Sequence, residues 1–83
     1  MDKIVVELRI TAINKIYDAK IPRDIQIWEA TKLIVDMISN LHPGLYAGEN
    51  EAMLVDFESG KVIAVNSLVA DSGLTNGARV MLI

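Results

Sequence analysis

Leu68-Val69-Ala70-Asp71-Ser72-Gly73-Leu74-Thr75-Asn76-Gly77-Ala78-Arg79-Val80-Met81-Leu82-Ile83 is the stretch on which the fold turns. It has three physical parts. Leu68, Val69 and Leu74 are apolar anchors around a polar segment that carries a glycine. Asn76-Gly77 is a strong turn signal, because both residues tolerate positive φ. Arg79 to Ile83 then alternates as a short strand, with Val80 and Leu82 on one face and Met81 and Ile83 on the other. So apolar a strand is expected to pair inside a sheet, not to stand as a free edge.

Working outward, the chain of 83 residues has the size of one domain, near the lower end of what folds unaided. The apolar fraction of 52% and mean hydropathy of +0.34 supply a core generously. With no cysteine there is neither a disulfide framework nor thiol chemistry. A net charge of −3 argues against a general nucleic-acid surface. No apolar run reaches the roughly 18 residues of a membrane span, and the first residues lack the layout of a signal peptide. The expectation is a soluble, cytoplasmic protein that does not insert into membranes.

Lys3 to Ile10 alternates, with Ile4, Val6, Leu8 and Ile10 on one face: a strand with one side buried. After a turn at Thr11 to Asn14, Lys15 to Ile21 alternates again, Tyr17, Ala19 and Ile21 inward and Asp18 and Lys20 outward. Pro22 ends this second strand by removing a ladder donor. From about Ile25 to Leu41 the period changes. Ile27, Ala30, Ile34, Met37, Ile38 and Leu41 form one face of a helix. Asp24 stands where a cap or first-turn carboxylate would help, and His42-Pro43-Gly44 stops the helix. Leu45 to Glu51 reads as a loop. Met53 to Phe57 is a third strand, Glu58 to Lys61 a hairpin turn, and Val62 to Val65 a short return strand. One helix covering one face of a small sheet makes a two-layer α+β domain spanning residues 1–83.

Two segments carry a resemblance. Asp71-Ser72-Gly73-Leu74, Thr75-Asn76-Gly77 and Arg79 to Ile83, in register with Tyr17-Asp18-Ala19-Lys20-Ile21-Pro22, resemble the YukD/EsaB family of bacterial ubiquitin-like proteins associated with type VII secretion. The resemblance implies a ubiquitin-like β-grasp: a four- to five-stranded mixed sheet packed on one α-helix, first and last strands adjacent and parallel at the centre. It implies a non-enzymatic adaptor or regulatory component without cofactors. Its partners would be proteins, the cytoplasmic parts of membrane-anchored secretion machinery. A small accessory β-grasp subunit of a multicomponent enzyme such as a monooxygenase is the alternative. A sulfur carrier is disfavoured.

No catalytic constellation appears. The one histidine, His42, reads as a solvated residue at the helix exit. One histidine and scattered carboxylates give no zinc spacing and no serine triad. Ser59-Gly60-Lys61 lacks the full phosphate-loop pattern and lies between strands. The pairs Glu49/Glu51 and Asp56/Glu58 read as solvated residues. Ubiquitin-like proteins use an aliphatic patch on the open sheet face for recognition. Alignment through Phe57 puts Asp56 at its centre, and a shift of one residue would put Val55 there.

Two surfaces are candidate partner sites. At about 100° per residue, Trp28 and Val35 lie roughly 60–80° beyond the core arc of the helix, with Lys32 beside them. Either the loop Pro43 to Asn50, carrying Leu45 and Tyr46, buries this strip, or a partner does, with Trp28 as anchor and Lys32 as rim. Met81 and Ile83 on the open sheet face form the second patch.

Conjugation by the ubiquitin route needs a flexible diglycine tail, whereas Val80 to Ile83 reads as strand. Intact-mass measurement of the native protein is therefore expected to find only the unmodified chain. A ladder of adducts abolished by removing the last residues would contradict this.

Overall fold

The computed structural model describes residues 2–43 and 52–83. Its four strands are β1 (Lys3–Ile10), β2 (Lys15–Pro22), β3 (Leu54–Asp56) and β4 (Arg79–Leu82), with one helix, α1 (Ile27–Leu41), between β2 and β3. β1 and β2 form an antiparallel hairpin across Thr11–Ile13, a single 3-10 turn closed by Asn14 at φ 54°. Asparagine is among the few side chains that accept this left-handed geometry. The sheet order is β2-β1-β4-β3, with β4 parallel to β1 and antiparallel to β3. Such a mixed sheet, with its first and last strands paired at the centre and one helix against it, is the β-grasp arrangement that the resemblance implies.

Alternation decides what is buried. Ile4, Val6, Leu8 and Ile10 of β1, Ala19 and Ile21 of β2, Leu54 of β3 and Val80 and Leu82 of β4 pack against Ile27, Ala30, Ile34 and Ile38 of α1. Ile63, Val69 and Leu74 close this core from the long connection between β3 and β4. Thr31 is also buried, its hydroxyl donating to the Ile27 carbonyl at 2.8 Å, so no polar atom is stranded there.

The connection between β3 and β4 does more than link strands. The first N–H groups of a helix lack intrahelical partners. Here Ile27 donates to the Ser67 carbonyl at 2.9 Å and Trp28 to the Val65 carbonyl at 3.1 Å. Val69 N–H then donates to the Ile25 carbonyl at 2.8 Å. The cap is thus tertiary and made of backbone. Gln26 occupies the N-cap position with no side-chain capping bond, and the Asp24 expected to help is exposed outside the helix.

Several sequence expectations are corrected. Leu68 is 40% exposed, because its residue serves as a backbone bridge to Gln26 while Val69 carries the burial. Leu41, at the end of α1, is exposed. Val62 to Val65 does not form a strand. It contributes one bridge, Val62 to Val55, and a bond from Ile63 N–H to the Leu54 carbonyl, which seats Ile63 in the core. The span expected for the third strand holds up in its bonding, since Met53 and Ile83 exchange both backbone bonds and Phe57 N–H donates to the Arg79 carbonyl at 3.1 Å.

The facing of β4 is directly testable. Leu82 is 1% exposed and Ile83 52%. Leu82→Ala is expected to cost about 2–5 kcal/mol, a large share of a total near 5 kcal/mol for a domain this size. Ile83→Ala should change stability by about 0.5 kcal/mol or less. Urea unfolding midpoints of the two variants check the contrast, and equal losses would mean the alternation is misplaced.

Candidate functional site

The first turn of α1 carries the only indole. Trp28 is 48% exposed, and its indole N–H donates to the side-chain oxygen of Gln26. Gln26 in turn donates from Nε2 to the Asn66 carbonyl at 3.4 Å. The ring is therefore oriented by a polar relay from the loop that caps the helix, and the same loop places Val65, 45% exposed, beside this turn. Along the flank, Lys32 is exposed and Val35 is half-buried, packed against the core. Trp28 and Lys32 thus present surface while Val35 contributes mainly to packing. Cover by Leu45 and Tyr46 falls on residues outside those described. Val65 was missed in the sequence, because a return strand was expected where the chain in fact turns back to cap the helix.

The second candidate surface lies on the other side of the sheet. Register builds it row by row, since cross-strand partners share a face. Ile16, Arg9, Met81 and Val55 form one row; Asp18, Glu7 and Arg79 form the next. Met81 is half-buried and Ile83 exposed. Glu7 accepts from Arg9 at 3.2 Å and lies 3.7 Å from Arg79, while the Arg9 guanidinium stands 4.4 Å over the Phe57 ring. These pairs are too exposed to add more than about 1 kcal/mol each, but they organise the face. Val55 belongs to this side: it is buried yet absent from the core cluster, and it pairs with Met81. Asp56 pairs with Val80 and points the other way, so Val55 and not Asp56 faces this side and no carboxylate from β3 interrupts the patch. The Trp28 flank and the Met81 face are therefore separate surfaces.

His42 is not simply solvated. Its Nε2 is hydrogen-bonded to the Tyr17 hydroxyl, with the rings tilted at 52° and centroids 5.8 Å apart. This pair ties the exit of α1 to β2. Among the described residues no group of three His, Asp or Glu stands ready to hold a metal ion, and no helix is long and apolar enough to cross a membrane. A shallow groove of about 570 Å³ runs between the 56–64 turn and the 71–79 segment. Lys61 and Arg79 line it together with Asp56, Glu58 and Asp71, a set of mixed charge, and with the hydroxyls of Ser59, Ser67, Ser72 and Thr75.

No protein-family model and no curated protein matches the sequence. Solved structures do match in shape. The EccD5 ubiquitin-like domain from Mycobacterium xenopi superposes with a TM-score of 0.81 at 13% identity, covering 100% of this chain and 94% of that one. The ubiquitin-like domain of the type VII secretion system protein EccD1 from Mycobacterium tuberculosis gives 0.73 at 13% identity, covering 100% and 99%. A chain of a toluene 4-monooxygenase complex with the inhibitor 4-bromobenzoate gives 0.81 at 10% identity, covering 98% and 96%. At these identities the likeness is one of fold, and the fold is ubiquitin-like.

The exposure of Trp28 predicts how its removal behaves. Trp28→Ala is expected to lower stability by about 1 kcal/mol or less, far from the 3–5 kcal/mol of a buried aromatic. Wild-type emission should be red-shifted and open to collisional quenching. A blue-shifted, protected spectrum with a large loss of stability would show the ring to be covered.

Proposed function

We propose that this chain is a non-conjugating, non-enzymatic ubiquitin-like adaptor of a bacterial type VII secretion system. In this reading residues 1–83 act as one contact domain, in the cytoplasm, on the cytoplasmic parts of the membrane-anchored machinery. The observation that carries it is the end-to-end match with two ubiquitin-like domains of EccD proteins, one of them from a protein described as part of such a system. The arrangement suits contact rather than catalysis. The open sheet face presents Ile16, Met81 and Ile83 among the Glu7, Arg9 and Arg79 charges, and the helix flank presents Trp28 beside Lys32. Aromatic anchors with a charged rim are what protein interfaces use. Backbone bonds in both directions between Ile83 and Met53 keep the residue after β4 paired in the sheet beside this open face.

The second reading, an accessory subunit of a multicomponent monooxygenase, is favoured by the equally high superposition on the toluene 4-monooxygenase chain. Capture separates the two. Tagged protein, cross-linked in cells of its native host and purified from solubilised membranes, is expected to bring down secretion-machinery components. Trp28→Ala or Met81→Asp is expected to weaken that capture by about thirtyfold, the effect of losing one anchor worth about 2 kcal/mol. Recovery of oxygenase subunits from the soluble fraction instead would establish the second reading and overturn the first.

A further inference from the structure

The two edges of the sheet differ. Beyond β3, the segment after the turn covers the edge: Asp56 N–H donates to the Lys61 carbonyl and Ile63 N–H to the Leu54 carbonyl, both at 2.9 Å. β2 is the opposite edge, and no described segment bonds along its outer side. Which of its groups face outward follows from one bond. Arg23 N–H donates to the Asp2 carbonyl at 3.1 Å, so residues 2 and 23 form a bonded pair. Antiparallel ladders alternate bonded and non-bonded pairs. With the observed register, Ile21, Ala19 and Tyr17 spend their backbone groups on β1, and Ile16, Asp18, Lys20 and Pro22 turn theirs outward. Pro22, with no N–H, sits where β1 needs none.

We propose that β2 pairs antiparallel with β2 of a second copy of this chain, about a two-fold axis through Ala19, joining the two sheets edge to edge. The charge pattern selects this partner and this register. Outward-facing residues must oppose each other for bonds to form. Centred on Ala19, Asp18 faces the partner's Lys20 and Lys20 faces the partner's Asp18, each pair exchanging both backbone bonds. Ile16 N–H meets the carbonyl of the partner's Pro22. A register shifted one step either way sets Asp18 against its own copy, or Lys20 against its own copy, and like charges directly opposite are destabilising. At the ends Lys15 falls opposite the partner's Arg23, whose guanidinium lies 3.8 Å from Asp2 of its own chain.

The helix side of the same edge is apolar. A groove of about 130 Å³ between β2 and α1 is lined by Ala19, Ile21, Ala30, Leu33 and Met37 among others, and Leu33 is 54% exposed. With alanine on the axis, the two grooves run into each other with no bulk at the joint. The Leu33 and Met37 rims of the two copies then flank one continuous apolar floor. The ion pairs decorate the open face while this floor is shielded on the other.

Asp18 and Lys20 are both exposed, so reversing either charge should leave each chain folded, which circular dichroism checks. Sedimentation equilibrium of the full chain from about 10 μM to about 1 mM is expected to show a dimer with a Kd on the order of 100 μM, as suits a small edge contact. Asp18→Lys and Lys20→Asp, each alone, set like charges opposite twice, and each should raise Kd at least about tenfold. Mixing the two single variants should restore association as a heterodimer, because every opposed pair then joins a lysine to an aspartate. A monomer throughout the range, or a dimer indifferent to either reversal, would overturn the proposal. So would single variants that stay monomeric when mixed.

Discussion

Where β4 meets β1, three bonds set the position of everything else. Gly77 N–H donates to the Val5 carbonyl at 2.7 Å, Val5 N–H to the Asn76 side-chain oxygen at 2.8 Å, and Glu7 N–H to the Ala78 carbonyl at 2.8 Å. Gly77 does this at φ 87°, a conformation costly for any residue with a Cβ. Asn76 supplies from its side chain an acceptor that the backbone does not yet offer at the entrance to a parallel pair. Together they fix the register that sets Leu8 against Val80 and Ile10 against Leu82 on the helix side. A slip of one residue would turn Val80 and Leu82 to the open face and bring Arg79 and Met81 into the core. Because β4 also carries β3, the whole sheet inherits its alignment from this turn.

The second constraint is the long return between β3 and β4. It seats Ile63, Val69 and Leu74 in the core and lends two carbonyls to the start of α1. Helix start and loop path are thereby one structure: the helix is capped only where the loop passes, and the loop is held only where the helix begins. The orientation of Trp28 follows, since the Gln26 that binds its indole is itself bonded to the same loop.

This explains what was legible in the sequence. Strong period-two patterns in β1, β2 and β4, the period change at α1 and the Asn76-Gly77 turn are local signals, and each appears where it was read. The ubiquitin-like fold that the matching structures share follows the resemblance, whereas membership of the YukD/EsaB branch has no sequence match behind it. What failed depended on distant partners. Asp24 looked like a cap because a tertiary backbone cap leaves no sequence mark. Leu68 looked like an anchor because composition does not reveal which residue of the Leu68-Val69 pair bridges and which packs. The Val62 to Val65 run is apolar and, apart from Ala64, β-branched, yet only its first residues meet β3 before the chain leaves to reach α1. Of the candidate site residues, the sequence placed Trp28 and Lys32 on a helix flank and Met81 and Ile83 on the open face. It did not join them to Val65, or to the Arg9–Phe57 stack, because both associations cross between elements far apart in the chain.

Native-state hydrogen exchange at the junction of β1 and β4 tests most directly whether their pairing holds the fold together. If it does, the amides of Glu7 and Gly77 exchange only through global unfolding, with the same free energy and denaturant dependence as the most protected amides of the core. Exchange of these two amides through a low-energy local opening, while the β1–β2 hairpin and α1 keep full protection, would contradict it and make β4 an accessory strand.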